Sequence, residues 1–368
     1  MDIDFANLGL QYQLYKEQID RRVLSVLEQS NYILGPEIVE LESALQEFTS
    51  AKNCITCSSG TDALTLAMLC QGIGQGDEVI TTPFSYVATA DTIALLGATP
   101  VFVDINPHDF NIDPNLIKDA ITSKSKAIMP VSLFGQPADM DHIMSIAHEN
   151  NLSVIIDGAQ SFGSTYKENF DSTLGNYSTT SFFPAKPLGC YGDGGAVFTD
   201  NDECAEKIKK LRVHGQEARY NHKYLGIGAR LDTVQAAILL VKLEHYQIEI
   251  EKRQQVASLY SELLKENTEV TTPFVHQENT SVWAQYTLRV KSRELIQETL
   301  KEQGIPTAVH YPKPLHKQEC FKYLYDSEIT FPEAEKASKE VLSLPMNPFL
   351  TKEQIEYIAK AVNEATLN

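Results

Sequence analysis

Residues 179–196 read TTSFFPAKPLGCYGDGGA and place a single lysine between an apolar run and a cluster of glycines. Phe182 and Phe183 are typical of the buried end of a strand, and the prolines and glycines that follow end regular structure. Lys186 is therefore expected on a rigid turn beside a packed core. Partial burial there would lower the pKa of its amine and make it a nucleophile or a base. The alternative for this stretch alone is an ordinary surface lysine.

The composition of the 368-residue chain is that of a globular protein, with 43% hydrophobic and 22% charged residues. This is enough apolar material for one large core and a second, smaller one. The formal net charge of −18 argues against a nucleic-acid partner, because such a surface needs basic patches. A few local cations could still serve a pocket for a small anionic substrate.

No apolar run reaches the roughly 18 residues of a membrane span, so no membrane partner is expected. The first five residues, MDIDF, are acidic and lack the regions of a signal peptide, which predicts a cytoplasmic protein. Cys54 and Cys57 have CxxC spacing, but no second pair completes a zinc site. A strand explains this segment better than a redox or zinc role, and we expect no metal.

The chain alternates between helices and β-branched runs from residue 53 to residue 199. An arm and an amphipathic helix precede this region in residues 1–30. Strands are predicted at 53–57, 78–82, 99–105, 126–131, 152–157 and 196–199. Such alternation indicates an α/β protein with a largely parallel sheet, whose ligands bind beyond the carboxyl ends of the strands.

Residues 214–230 are polar and aperiodic, and we interpret them as a long functional loop. A long helical region over 231–263 then leads to a second, smaller domain. We expect a strand at 284–290, a helix at 293–303, an extended segment at 307–311 and a last helix at 352–365. The predicted division is an N-terminal arm and helix in 1–30, a large domain in 31–245 and a small C-terminal domain in 246–368.

Four features near the predicted strand ends complement one another. Gly60 and Thr61 open a helix after a strand and small-residue turn, which makes an anion site or, alternatively, only a capped helix start. Asp157 ends a strand, Tyr86 lies at a strand–helix junction, and Lys186 lies on its turn. These parts fit pyridoxal 5′-phosphate, which needs a helix terminus for its phosphate, a carboxylate for its ring nitrogen, an aromatic face and a lysine.

The chain resembles the DegT/DnrJ/EryC1/StrS family of PLP-dependent sugar aminotransferases over essentially its whole length. The matching motifs are YILGPE (32–37), SGTDAL (59–64), PFSYVAT (83–89), DGAQ (157–160), SFFPAKPLG (181–189) and RLDTVQAA (230–237). The resemblance implies the type I aminotransferase fold, with a large mixed, mostly parallel sheet domain and a smaller C-terminal α/β domain. It also implies a homodimer with shared active sites.

Within the family, the chain is most similar to enzymes that aminate carbon 3 of UDP-2-acetamido-2-deoxy-3-oxo-glucuronate, an O-antigen and lipopolysaccharide precursor. The similarity lies in residues 181–196, 214–216 and 306–312. It implies a UDP-sugar substrate and glutamate as the amino donor.

The resemblance also implies roles for individual cofactor-binding residues. Lys186 would bind the PLP aldehyde and then move the proton between the cofactor and the sugar carbon. Asp157 would pair with the ring nitrogen, Gln160 would contact the phenolic oxygen, and Tyr86 would stack on the ring. The phosphate would be held by Gly60, Thr61 and Ser181.

The substrate residues implied by the resemblance lie in two segments. His214 and Arg230 would reach the UDP-sugar from the neighbouring subunit, while His310 and Tyr311 would meet the sugar, with His310 near the uronate carboxylate. Many relatives carry an asparagine at the position of Gly228, which reaches the partner's cofactor phosphate; this chain departs from that pattern.

Three other functions remain open at this point. An aminotransferase acting on a dTDP- or UDP-linked 3- or 4-keto-6-deoxyhexose would use the same fold. A sugar 3-dehydratase would usually hold a histidine where this chain has Lys186, which argues against that reading. The third is a non-catalytic binding or regulatory protein that retains the fold.

Overall fold

The computed structural model describes residues 2–325 and 329–366. Its α-helices follow the predicted alternation, with the long helix α8 as the largest. In chain order they are α1 (Leu8–Gln29), α2 (Pro36–Thr49), α3 (Gly60–Gln71), α4 (Ala88–Leu95), α5 (Pro114–Ile117), α6 (Met140–Glu149), α7 (Asp202–Leu211), α8 (Thr233–Leu264), α9 (Arg293–Glu302), α10 (Pro332–Glu340) and α11 (Lys352–Ala365).

The strands form one large sheet and several small ones. They are β1 (Asn53–Cys57), β2 (Glu78–Thr81), β3 (Thr99–Phe102), β4 (Ser125–Ile128), β5 (Ser153–Asp157), β6 (Thr165–Tyr166), β7 (Asn169–Phe170), β8 (Tyr177–Ser181), β9 (Gly195–Thr199), β10 (Gln216–Ala218), β11 (Asn221–His222), β12 (Val270–Thr271), β13 (Asn279–Thr280), β14 (Tyr286–Val290) and β15 (Val341–Leu344).

The large sheet confirms the α/β prediction. Within the described residues it has seven strands in the order β1-β9-β8-β5-β4-β2-β3. Strands β3, β2, β4, β5 and β8 are parallel, and β9 runs antiparallel between β8 and β1. Since both neighbours of β9 run against it, β1 points the same way as the parallel strands. The carboxyl ends of β1, β2, β5 and β8 therefore meet at one edge.

Burial explains why these segments form a covered sheet. Strands β5, β8 and β9 are buried along almost their whole length, and α3 is buried on most of its sides. Helix α3 packs between the sheet and the neighbouring helices α4 and α7. A helix that is apolar nearly all round belongs inside a layered domain, which fixes its N-terminus against the sheet edge.

The C-terminal part has its own antiparallel sheet, in the order β12-β14-β15, covered by α9, α11 and the end of α8. Its core also includes Ile3 from the N-terminal segment. That segment is tied down by backbone contacts, since the N–H of Met346 donates to the carbonyl of Phe5 at 3.2 Å. The predicted domain boundary at 245/246 falls inside α8, and the division into domains stays a prediction.

Several sequence predictions need correction. The predicted loop 214–230 contains a short hairpin, β10–β11, because Gln216 and Ala218 pair with His222 and Asn221. Within the part of the chain that the structure describes, the extended segment 307–311 pairs with the sheet only through an isolated bridge at Ala308. Helices and strands elsewhere begin or end within a few residues of their predicted limits. Among the described residues, no helix combines the length and apolarity that crossing a bilayer requires.

Candidate functional site

One edge of the large sheet gathers the segments that carry the predicted site. Asp157 is the last residue of β5, Ser181 the last of β8 and Cys57 the last of β1. Gly195, which opens β9, pairs with both Cys57 and Ser181. The antiparallel strand β9 therefore brings the turn after β1 directly against the end of β8.

Helix α3 begins at this edge and has the geometry of an anion site. Ser59 is its N-cap, and the Ser59 hydroxyl oxygen accepts from the N–H of Asp62 at 3.0 Å. The first-turn N–H groups at Gly60 and Thr61 have no acceptor inside the helix, and the helix dipole favours an anion beside them. A Cβ placed on Gly60 would lie 2.7 Å from the Cβ of Ser181, so glycine permits this close approach. The capped start and the anion site are thus compatible.

Asp157 is buried at the centre of the edge and makes defined hydrogen bonds. The hydroxyl of Thr89 donates to Oδ2 at 2.7 Å, and the N–H of Ala159 donates to Oδ1 at 3.2 Å. Burial raises the pKa of Asp157, while these two donors and the nearby charge of Lys186 oppose that rise. A carboxylate held this way can pair with a cationic partner that reaches it from the cavity side.

Lys186 lies on a turn that its own backbone closes, since its N–H donates to the carbonyl of Phe183 at 2.8 Å. Burial lowers the pKa of the Lys186 amine, and the charge of Asp157 offsets part of that effect. Phe182 is buried as predicted, but Phe183 is 51% exposed, which makes that part of the prediction wrong. Successive side chains of an extended segment point to opposite sides, so only one of the two phenylalanines reaches the core.

Three predicted residues form a connected group above the edge. Gln160 donates from Nε2 to the hydroxyl of Tyr311 at 3.0 Å, and its Oε1 accepts from the N–H of Phe134 at 2.7 Å. Tyr86 is 58% exposed, and its ring centroid lies 6.4 Å from that of Tyr311. An exposed ring in this position is free to contact a flat ligand.

His310 is neutral in this arrangement. Its Nδ1 lies 3.0 Å from the hydroxyl of Ser343. Burial, together with the charge of Lys186, lowers the pKa of His310 to about 4. At neutral pH this imidazole can contact a carboxylate only as an N–H donor and not as a cation.

His214 and Arg230 lie on a neighbouring part of the same face. The carbonyl of Ala229, next to Arg230, accepts from the N–H of Ser58 at 3.1 Å, which places this segment beside the turn that precedes α3. His214 is exposed. A Cβ on Gly228 would lie 2.9 Å from Nε2 of His214, so the histidine ring occupies the space that a side chain at this position would need.

Sequence reasoning missed two residues that support the site. Thr89 belongs to a quoted motif, and its place one helical turn after Tyr86 is a signal for its contact with Asp157. Asp171 gave no such signal. Its carboxylate is buried and accepts from the hydroxyls of Ser132 (3.0 Å) and Ser161, and burial raises the pKa of Asp171 to about 6. No group of three metal-binding side chains occurs in the part of the chain that the structure describes.

Known proteins resemble this chain over almost its whole length. The chain is 51% identical over 360 residues to the UDP-2-acetamido-2-deoxy-3-oxo-D-glucuronate aminotransferase of Pseudomonas aeruginosa, covering 98% of this chain and 99% of the relative. It is 46% identical over 366 residues to a pleiotropic regulatory protein of Geobacillus stearothermophilus, covering 99% and 98%.

A solved structure also matches over the whole chain. It is NtdA from Bacillus subtilis with bound cofactor PMP, with a TM-score of 0.92, 30% identity, and coverage of 100% of this chain and 86% of that one. The sequence profile of the DegT/DnrJ/EryC1/StrS aminotransferase family matches residues 13–363. With a half-buried lysine, a buried strand-end carboxylate and a capped helix start at one sheet edge, the chain belongs to the DegT/DnrJ/EryC1/StrS aminotransferase family.

Proposed function

We propose that this protein is a PLP-dependent aminotransferase that converts UDP-2-acetamido-2-deoxy-3-oxo-glucuronate to its 3-amino sugar, with glutamate as the amino donor. The product would serve O-antigen and lipopolysaccharide biosynthesis. The observation that carries the proposal is the placement of Lys186, Asp157 and the start of α3 at one sheet edge. The Pseudomonas aeruginosa relative supports the substrate.

The residues at the edge fit pyridoxal 5′-phosphate. The first-turn N–H groups of α3 have no acceptor inside the helix and would hold a phosphate, with Thr61 and Ser181 beside them. Asp157 offers a buried carboxylate to a ring nitrogen, and Tyr86 offers an exposed aromatic face. When bound, the cofactor supplies an aldehyde carbon that carries the amino group and a ring that withdraws electrons.

The chain's own groups would then bind and move protons. Burial favours the neutral amine of Lys186, which is the form that attacks an aldehyde and accepts a proton from carbon. Thr89 stabilises the charged form of Asp157 by donating to it. Gln160 would contact the phenolic oxygen of the cofactor from its position beside Tyr311.

Two segments supply the substrate contacts in this proposal. We infer that His310 and Tyr311 meet the sugar, with His310 donating a hydrogen bond toward the uronate. Arg230 and His214 would supply contacts to the UDP-sugar from the neighbouring subunit. Because Gly228 has no side chain, a backbone N–H or a water molecule would have to replace the asparagine of many relatives.

A homodimer in the cytoplasm completes the proposal. Helix α1 and the loop after it expose large apolar side chains. Their exposure supports a dimer in which a second copy of this chain buries them. These side chains are Leu10, Leu14, Leu24, Leu27, Ile33 and Leu34. Light scattering of the purified protein would test the dimer, and a monomer at micromolar concentration would contradict it.

The direct test is a comparison of wild type with Lys186→Ala, with exposed Lys265→Ala as a matched control. Loss of the proton-transferring amine should reduce transamination by about 10²–10⁴-fold or more. Lys265→Ala should retain wild-type turnover. Full turnover in Lys186→Ala would contradict the mechanism.

The substrate is tested by a half-reaction. Protein loaded with pyridoxamine phosphate is mixed with keto-sugar nucleotides, and return of the absorbance band of bound PLP identifies the acceptor. Substitution of Arg230 and His310 should reduce activity on a 3-oxo uronate more than on a 3- or 4-keto-6-deoxyhexose. An equal effect on both would favour the deoxyhexose alternative.

One relative's name favours a second function, a regulatory protein. The absorbance of bound PLP, and the change in that absorbance when glutamate is added, distinguishes the regulatory protein from the enzyme. A protein that binds no PLP after reconstitution would support the regulatory reading and contradict the enzyme.

A further inference from the structure

A partly open cavity lies beside Lys186, on the side of the N-terminal segment and α8. Including its mouth it encloses about 550 Å³. Lys186 and His310 form one wall, and Gln11, Arg253 and Gln285 contribute polar groups to the others. The cavity therefore joins the proposed catalytic amine to residues that neither the sequence motifs nor the proposed substrate contacts include.

Three buried polar atoms without hydrogen-bond partners belong to residues that line this cavity. They are Nε of Arg253, Oε1 of Gln285 and Oε1 of Gln11. Leaving a buried polar group unpaired destabilises the folded state, so such atoms are rare in native proteins. Nε of Arg253 is the one donor of the three, and it is the atom that an acceptor group in the cavity would pair with.

The guanidinium group of Arg253 has one edge that makes hydrogen bonds to the protein and one edge that does not. It is only 7% exposed, and its Nη1 donates to the carbonyls of Trp283 at 3.0 Å and Met346 at 3.3 Å. Its Nε has no hydrogen-bond partner among the described residues. The Nη1 contacts fix the plane of the guanidinium group, so its remaining edge is held rigidly for a ligand.

The charge of Arg253 also lacks a paired acid within the residues that the structure describes. Glu249, one turn earlier on α8, is instead held by Nε2 of Gln11 at 2.9 Å and by the hydroxyl of Tyr15 at 2.8 Å. A buried guanidinium with a free edge matches a carboxylate, which accepts two parallel N–H bonds.

We propose that Arg253, with Gln285 beside it, forms the carboxylate-binding subsite of this aminotransferase. The inference rests on the proposed function, because the ligand is a carboxylate carried by a reacting molecule next to Lys186. Two sources share this chemistry: a free amino-acid donor and the uronate group of the sugar nucleotide. A carboxylate only accepts hydrogen bonds, so Gln285 would turn its side-chain amide and donate from Nε2 to the same ligand.

The test measures binding to the holoenzyme by calorimetry. The first probe is glutarate, a dicarboxylate without an amine. The second is UDP-glucuronate, and its control is UDP-glucose, which has a hydroxymethyl group in place of the carboxylate. Arg253→Lys should weaken at least one carboxylate probe about tenfold or more and leave UDP-glucose unchanged. Weakened glutarate binding assigns the subsite to the donor, and weakened UDP-glucuronate binding assigns it to the sugar.

Two further variants separate binding from folding. Gln285→Glu places a like charge in the cavity and should weaken the same probe as Arg253→Lys, which keeps the proposal testable if Arg253→Lys fails to fold. Arg289→Lys removes a partly buried arginine that pairs with Glu340 away from the cavity, and should leave every probe unchanged.

The possible failures are distinguishable. In one outcome the wild type transaminates, but neither Gln285→Glu nor a folded Arg253→Lys changes the affinity for either carboxylate probe. That outcome overturns the subsite and leaves the proposed enzyme function standing. A wild type that binds no PLP and transfers no amino group overturns the proposed function itself.

Discussion

Lys242 offers a stability prediction whose size can be worked from the structure. This residue of α8 is 3% exposed, and its amine donates to the carbonyl of Gly189, three residues after Lys186. Burial lowers the pKa of Lys242 from 10.5 to about 8, with the charge of Glu249 acting against that change. At about 1.4 kcal/mol per pH unit, keeping the buried amine charged costs the folded state about 3 kcal/mol below pH 8.

The perturbation is Lys242→Met, which keeps the length of the side chain and removes the charge. At pH 7 the variant is spared the cost of about 3 kcal/mol but leaves the Gly189 carbonyl without its donor, which costs about 1–3 kcal/mol. The two effects largely cancel, so the unfolding free energies of the two proteins should differ by about 2 kcal/mol or less.

The pH dependence carries the sharper expectation. A folded pKa below the unfolded one means that the unfolded chain binds more protons between about pH 8 and 10.5, so wild-type stability rises with pH in that window. Relative to Lys242→Met, wild type should gain about 2–3 kcal/mol between pH 7 and pH 10. Denaturant unfolding of both apoproteins measures this gain, with exposed Lys265→Met as a control. A difference that stays flat or falls with pH would refute the reasoning.

Two further substitutions probe the site through its supports. Thr89→Val removes the hydroxyl that donates to Asp157, so the carboxylate's pKa should rise and the acidic limb of the kcat profile should move up by about one pH unit; an unchanged profile would contradict this role. Gly195→Ala would push a methyl group against the carbonyl of Ser59, and overpacking of about 1–3 kcal/mol should lower both Tm and PLP affinity. Unaltered Tm and affinity would show that the edge tolerates the extra atom.

The fold class and the centre of the site could be predicted from the sequence because their signals are local. β-Branched runs that alternate with helices identify a covered parallel sheet, and Asp157 ends the run that forms β5. The prolines and glycines around Lys186 predict the turn that carries it. The capped start of α3, which has the geometry of an anion site, follows from a strand, a small-residue turn and a helix within ten residues.

The limits of prediction appear where residues distant in sequence meet. The hairpin within 214–230 and the exposure of Phe183 depend on which side of each segment packs against the rest of the protein. The periodicity of so few residues does not specify that side. The neutral state of His310 depends on its burial and on the charge of Lys186, which lies more than a hundred residues earlier in the chain.

The sequence by itself therefore determined the sheet and the segments at its edge, because short-range patterns of burial and turn formation encode them. Its motifs carried the resemblance to the family. Only the tertiary structure decided which segments meet at the edge of the large sheet. The antiparallel β9 unites the ends of β1 and β8, and Thr89 reaches a carboxylate 68 residues away. Likewise, α8 and the N-terminal segment build the cavity that contains Arg253. These contacts are long-range, and only packing in three dimensions sets them.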